Sequence, residues 1–169
     1  MSKIYIVGIV ASGKTTLAKK LSKELSVPWY ELDCIVYEKL ETGRYKRTPE
    51  EQMKVIHDID KKGDWIFEGT YRKSYHGLFE MADKIIFLDI PLWKRKVRIF
   101  TRFIKQQIGV EKCHYKADFK MLRLMYKWTS DFEKNRAEFE NILKKYDDKL
   151  MVVYENKDVN LIEKTIMKC

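Results

Sequence analysis

The 169-residue sequence has little cysteine, proline or histidine, three of each, and only seven glycines. Cys34, Cys113 and Cys169 are odd in number and far apart. That pattern excludes a disulfide framework and predicts free thiols in a reducing compartment, so the chain is expected in the cytoplasm. Cys113-His114 has no second pair at ligand spacing, and His57 and His76 stand alone, which excludes a zinc module. No apolar run approaches the roughly 20 residues of a membrane span. The N-terminus runs straight into a strand and a charged loop, with no signal-peptide pattern. No membrane partner is therefore expected. There is no internal repeat, low-complexity tract or Pro/Gly/Ser linker. The length then suits a single domain over residues 1–169, large enough for a sizeable core.

Positive charge is what the chain has in excess. Lys and Arg number 34 against 25 Asp and Glu, a formal net charge of +9. Such a chain either offers a nucleic-acid surface or handles several phosphates while its remaining lysines are solvated. The cations are dispersed along the sequence and not gathered in one stripe, which favours the second reading. No helix-turn-helix, zinc-finger or RNA-binding signature is present, so DNA as a partner would rest on charge alone.

The most specific stretch is Gly8-Ile9-Val10-Ala11-Ser12-Gly13-Lys14-Thr15, followed by Thr16. It fits the phosphate-binding pattern G-x-x-x-x-G-K-[ST] at every fixed position, a match expected by chance on the order of once in a hundred chains of this length. Residues 3–7 before it read as a buried strand. Leu17, Leu21 and Leu25 behind it, with Ala18, give a helix one apolar stripe. The glycines let the loop turn its N–H groups inward onto an anion, and the following helix adds the positive end of its dipole. Lys14 can reach the β- and γ-phosphates, and the Thr15 hydroxyl can ligate Mg²⁺. The alternative is a glycine turn between two ordinary elements. The motif in this context predicts a bound nucleoside triphosphate with Mg²⁺.

Further along, residues 27–32 read as a second strand ending in Asp33. An acid at the carboxyl end of a strand in an open α/β sheet faces the ligand crevice. Asp33 can thus accept a substrate hydroxyl proton or hold a substrate group, or it is a plain loop or cap residue. Residues 34–47 read as irregular. Thr48-Pro49-Glu50-Glu51 is a capping box with proline at the first helical position, so a helix should run to about residue 62, with Gly63 past its end. Residues 34–62 are either an insert that binds the acceptor or a crossover helix with a polar loop. Residues 65–67 form a third strand, ending in Glu68-Gly69-Thr70-Tyr71-Arg72, and residues 84–88 a fourth. Pro91 opens a helix that carries Leu92, Trp93, Val97, Phe100, Phe103, Ile104 and Ile108 on an apolar face and Arg95, Arg98 and Arg102 on another, with Gly109 as its stop. A loop over 110–117 leads to a long helical region, 118–146, with a break expected near Thr129-Ser130-Asp131. Residues 150–154 give a fifth strand, and Asp158 caps a last helix with Leu161, Ile162 and Ile166 facing the core. Five strands alternating with helices predict an α/β fold built on a doubly wound parallel sheet.

These segments together resemble the P-loop kinases related to adenylate kinase. They are most similar to the small DNA topology modulation (FlaR-related) proteins. The resemblance rests on the loop at 8–15, Glu31-Leu32-Asp33, Trp65-Ile66-Phe67-Glu68-Gly69-Thr70-Tyr71, and Ile86-Phe87-Leu88-Asp89-Ile90-Pro91-Leu92-Trp93 with basic residues behind it. It implies the P-loop NTPase fold, a five-stranded parallel sheet in the order 2-3-1-4-5 sandwiched by helices, and a helical lid over about 95–136. Glu68-Gly69-Thr70-Tyr71-Arg72 is similar to the adenylate kinase Asp-Gly-Phe-Pro-Arg motif at the acid, the glycine and the arginine. By that resemblance Glu68 organises water around Mg²⁺, and Arg72 clamps the acceptor phosphate. Thr-Tyr in place of Phe-Pro leaves open an acceptor other than a nucleoside monophosphate. Arg98 and Arg102, with Arg95 and the weaker Arg136, become candidates for closing over the phosphates, and Asn156-Lys157-Asp158 for packing the base. The implied activity is ATP-dependent phosphoryl transfer to a nucleotide or other small-molecule acceptor. The alternatives are an ATP-binding regulator of DNA topology and a P-loop ATPase without acceptor.

Overall fold

In the computed structural model, residues 2–40, 43–110 and 118–154 are described. The expected terminal helix, the Asn156-Lys157-Asp158 loop, Cys113, His114 and Cys169 lie outside them.

Strand β1 (Lys3–Gly8) is almost wholly buried and forms the middle of the sheet. Helix α1 (Lys14–Leu25) follows, then β2 (Trp29–Glu31), the short α2 (Leu32–Ile35) and a hairpin of β3 (Tyr37–Leu40) and β4 (Gly43–Lys46). Helix α3 (Pro49–Asp60) returns to β5 (Trp65–Gly69), and α4 (Gly77–Met81) to β6 (Lys84–Leu88). Helices α5 (Leu92–Gln107), α6 (Phe119–Lys134) and α7 (Arg136–Leu143) lead to β7 (Leu150–Val153). The five-stranded sheet runs β2-β5-β1-β6-β7, and every pairing in it is parallel. Counted without the hairpin, this is the expected order 2-3-1-4-5 of the P-loop NTPase fold.

Period-two alternation divides the core between the two faces of the sheet. Ile4, Ile6, Ile66, Ile86, Leu88 and Val153 meet Leu17, Ala18 and Leu21 of α1. Tyr5, Val7, Trp65, Phe67, Ile85 and Phe87 face the other way and meet residues of α2, α3, α4 and α7. β1 and β6 lie inside both layers, which is why their sequences read as unbroken apolar runs.

Several elements depart from the sequence reading. Within residues 34–47, Cys34 and Ile35 belong to α2, and β3 and β4 pair antiparallel with Tyr37 opposite Lys46. A short, charged hairpin carries no alternating apolar pattern, so periodicity could not reveal it. Gly43, the first residue of β4, has φ 134°, which glycine adopts without strain. α3 has the expected capping box: the Thr48 hydroxyl accepts from Glu51 N, and the Glu51 carboxylate accepts from Thr48 N at 2.7 Å. The helical break falls at Asn135 (φ −103°, ψ 10°) and not near residues 129–131. Thr129 is buried and returns its hydroxyl to Met125 O at 2.9 Å, which satisfies it within a continuing helix. The apolar face expected of α5 is divided. Phe103 and Ile99 are buried, whereas Trp93, Val97, Phe100, Ile104 and Ile108 are exposed. Among the described residues, no helix is long and apolar enough to cross a membrane.

Candidate active site

The loop between β1 and α1 folds back on itself through two residues with positive φ, Ala11 at 60° and Gly13 at 101°. A Cβ on Gly8 would meet Ser12 Oγ at 2.8 Å and Leu88 O at 3.1 Å, so only glycine lets β1 turn this closely past β6. Ser12 N donates to Ile9 O at 3.3 Å, and Ser12 Oγ is buried with no hydrogen-bond partner. An unsatisfied buried hydroxyl in a loop lined by backbone donors is a group suited to receive a ligand oxygen. Ile9, Val10 and Ala11 form the outer turn, Lys14 and Thr15 are half-buried, and Thr16 is exposed.

Three side chains meet at the carboxyl ends of β1 and β5. Thr15 Oγ1 donates to Glu68 Oε1 at 2.5 Å. Glu68 is buried at the penultimate position of β5, and burial pushes its carboxyl above the usual range despite the opposing Lys14 charge and the Thr15 hydrogen bond. Lys14 Nζ donates to Ile9 O at 3.0 Å. Burial lowers the pKa of its ammonium, while Glu68, Asp33 and Glu31 act to hold the charge. Among the described residues no group of three or more His, Cys, Asp or Glu gathers to hold a metal. One hydroxyl beside one carboxylate suits Mg²⁺, which keeps several waters and takes its remaining ligands from phosphate.

Asp33 lies in the first turn of α2, not in a loop beyond β2. Its carboxylate pairs with Arg72 Nη2 at 2.7 Å. The Arg72 guanidinium also lies over the ring of Tyr75, 5.6 Å from its centre. Tyr75 donates to Gln52 Oε1 at 2.5 Å, Gln52 Nε2 to Arg47 O at 2.8 Å, and Arg47 Nη1 to Ile35 O at 3.0 Å. The 34–62 segment thus buttresses the Asp33–Arg72 pair from behind. Tyr75 and Gln52 carried no sequence signal for that role, because neither belongs to a motif.

The arginines of α5 separate. Arg98 Nη1 donates to the loop carbonyls of Ala11 (3.3 Å) and Ser12 (3.2 Å). Arg102 is half-buried in a crevice toward α6 with Ile99, Phe103 and Met121, and its charge contributes to the lowering at Lys14. Arg95 points elsewhere. It is fully buried, donates Nε to Ile90 O at 2.8 Å and pairs with Glu133. Arg136 is committed to Asp89 at 2.8 Å, Glu133 at 3.2 Å and Glu140 at 3.3 Å.

A cavity of about 270 Å³ opens beside the loop. Val7, Gly8 and Ile9 form one wall and Thr70–Lys73 a second. Phe132, Asn135, Glu138, Phe139 and Ile142 from α6 and α7 close the third. Tyr71 and Phe139 are 5.2 Å apart between ring centres, and Phe132 and Phe139 5.8 Å. Sequence periodicity assigns Phe132 and Phe139 to packing. Only the tertiary fold brings them to the phosphate-binding loop.

No known family model matches the chain. The shikimate kinase of Flavobacterium psychrophilum is 33% identical over 81 residues, which cover 47% of this chain and 38% of that enzyme. The chain thus spans less than half the length of this curated relative. Two solved structures share the fold along nearly all of the chain. The shikimate kinase of Acinetobacter baumannii, in complex with shikimate, matches at TM-score 0.60 with 13% identity, over 99% of this chain and 92% of that one. An uncharacterized protein from Eubacterium ventriosum matches at TM-score 0.58 with 16% identity, over 99% and 97% respectively. The chain is therefore similar in sequence to part of a shikimate kinase and has the P-loop NTPase fold over its length.

Proposed function

We propose that the protein is a P-loop kinase: an ATP- and Mg²⁺-dependent phosphotransferase that moves the γ-phosphoryl group of ATP to a nucleotide or other small-molecule acceptor. The observation that carries this reading is a complete phosphate-binding loop, with its Thr15–Glu68 hydrogen bond, beside a cavity of about 270 Å³. A plain ATPase needs no such cavity and no acid–arginine pair at its edge. The similarity to shikimate kinase supports the same class.

In this reading residues 8–16 bind the triphosphate, and Thr15 and Glu68 hold Mg²⁺ through its ligand sphere. The metal, when bound, neutralises charge on the β- and γ-phosphate oxygens. Lys14 swings from Ile9 O onto those same phosphates. Arg98, and Arg102 behind it, supply further positive charge at the loop. Asp33 orients and deprotonates the acceptor, Arg72 positions Asp33, and the segment over 95–136 acts as a lid that excludes water. The cytoplasm is the proposed site of action.

ATP consumption with Mg²⁺ over a panel of nucleoside monophosphates, nucleosides and hydroxylated metabolites tests the reading, with Lys14→Ala as control. Stimulation by one acceptor well above the acceptor-free rate, abolished in Lys14→Ala, is the expected result. ATP binding with no stimulated turnover on any acceptor would refute it. The second reading is an ATP-binding regulator of DNA topology, as in the FlaR-related proteins, and is favoured by the +9 charge. Nonspecific, steeply salt-dependent DNA binding that leaves ATP turnover unchanged would support charge attraction alone.

A further inference from the structure

The cavity beside the loop is aromatic on one side and electrically balanced on the other. Its rings, Tyr71, Phe132 and Phe139, form a continuous corner with centres 5.2 and 5.8 Å apart. Its charged lining consists of Arg72 and Lys73 against Glu138, with Asp33 bonded to Arg72 at the edge. The Arg72 guanidinium, which the adenylate kinase resemblance would set on an acceptor phosphate, has an aspartate at 2.7 Å instead. A phosphate dianion arriving there would face the Asp33 carboxylate at the same place. Arg136, at the α6–α7 joint, is held by three carboxylates. Arg72 is paired with Asp33, and Lys73 is balanced in number by Glu138 on another wall, so a phosphate or carboxylate acceptor meets no net positive charge in this lining. A flat, uncharged ring finds three aromatic faces.

We infer that the acceptor is an uncharged alcohol of nucleoside type, not a nucleoside monophosphate: its planar base lies in the Tyr71–Phe132–Phe139 corner, and its hydroxyl meets Asp33. The inference rests on the kinase reading above. In the transfer, the acceptor hydroxyl gives its proton to the Asp33 carboxylate as its oxygen bonds to the γ-phosphorus of ATP. The bond from that phosphorus to the β–γ bridging oxygen breaks, and ADP leaves with that electron pair. Arg72 keeps the Asp33 carboxylate aimed, and so is a positioning residue.

The test uses the full chain and separates binding from turnover. Calorimetry and ATP consumption are measured with adenosine, guanosine, cytidine and uridine, with their 5′-monophosphates, and with shikimate and gluconate as ring-free or carboxylated alcohols. At least one nucleoside is expected to bind and to raise ATP consumption about tenfold or more, with its monophosphate weaker in both. Asp33→Asn should lose about 100-fold or more in turnover, the usual range for a general base, while the nucleoside Kd stays within about threefold. Phe132→Leu should weaken that Kd about tenfold, as loss of one stacking face does, with ATP affinity unchanged. Preference for a monophosphate, or tighter monophosphate binding in Asp33→Asn with turnover kept, would overturn the inference. So would stimulation by shikimate or gluconate alone, which leaves the kinase reading standing. ATP binding with no stimulation by any compound defeats the kinase reading itself. The native-chain panel decides these outcomes even where a variant fails to fold.

Discussion

Gly69 is the position where a single methyl group tests how the acceptor side of the site is held. It ends β5, is buried, and has no positive φ, so its glycine answers to space alone. A Cβ there would lie 2.8 Å from Leu32 Cδ1, 2.9 Å from Leu32 Cβ and 3.2 Å from Leu32 Cγ. The Cδ1 contact can be relieved by a rotamer change. The Cβ contact cannot, because that atom is fixed to the backbone of α2. Ordinary contact begins at 3.4 Å, so α2 or β5 must yield by 3.4 − 2.9, at least 0.5 Å. Leu32 is only 1% exposed and has no solvent to retreat into. Overpacking of this kind costs about 1–3 kcal/mol. For a chain of this size that is a fall of about 2–12 °C in melting temperature. Asp33 is the next residue along α2 and moves with it, away from a 2.7 Å pair with Arg72. A misplacement of about 1 Å can cost about 100-fold in rate, so half of that predicts a loss near tenfold in acceptor-stimulated turnover, with ATP affinity intact. Thermal denaturation, ATP binding and stimulated turnover of Gly69→Ala measure all three. The double variant with Leu32→Ala completes a cycle. Leu32→Ala alone costs about 2–5 kcal/mol as a cavity, and the new methyl group at 69 fills part of it. The double variant should therefore be cheaper than the sum of the two by about 1 kcal/mol or more. Additive costs, or a Gly69→Ala protein that melts within about 1 °C of the native chain and turns over normally, would refute the close-approach argument.

Three further outcomes are expected. Glu68→Gln should weaken Mg²⁺ affinity by about 10–100-fold yet raise the melting temperature of the ligand-free protein at neutral pH. Burial raises the Glu68 pKa, so the folded state binds its proton more readily than the unfolded chain, and this contribution is present at low pH and lost as pH rises through the folded pKa; glutamine does not titrate, so the difference between the two proteins should shrink on acidification, and a difference that grows instead would sink the assignment. Arg98→Ala should lose about 1,000-fold in turnover and also weaken ATP, since its guanidinium joins the loop carbonyls of Ala11 and Ser12; unchanged turnover removes Arg98 from the site. Thr48→Ala removes half of the α3 capping box and should cost about 1 kcal/mol in chemical denaturation, with ATP affinity untouched; no loss of stability would mean the cap is dispensable.

What the sequence disclosed and what it withheld follow from range. The phosphate-binding loop is a local device: its glycines, lysine and threonine must be adjacent in the chain because one turn of backbone has to wrap one anion. It was legible for that reason, as were the sheet strands with their continuous apolar runs and the capping box of α3. Glu68 and Arg72 were legible only through resemblance, since nothing in the spacing says that residue 68 reaches residue 15. The antiparallel pair of β3 and β4 was missed because short, charged strands carry no apolar period. Arg95 and Arg98 are three residues apart on one helix and were indistinguishable in the sequence. At 100° per residue they stand only about 60° apart around α5, yet one is buried against Glu133 and the other is directed at the loop. The cavity beside the loop was withheld altogether. Its walls come from β1, from the turn after β5 and from the α6–α7 joint, and that joint exists because the helix breaks at Asn135 and not near residue 130. A break five residues earlier would rotate Phe132 and Phe139 relative to each other and take apart the aromatic corner. In the nucleoside reading proposed above, recognition of the acceptor therefore depends on where one helix ends. The described side chains of the 34–62 segment that brace Asp33 and Arg72 from behind do not line that cavity.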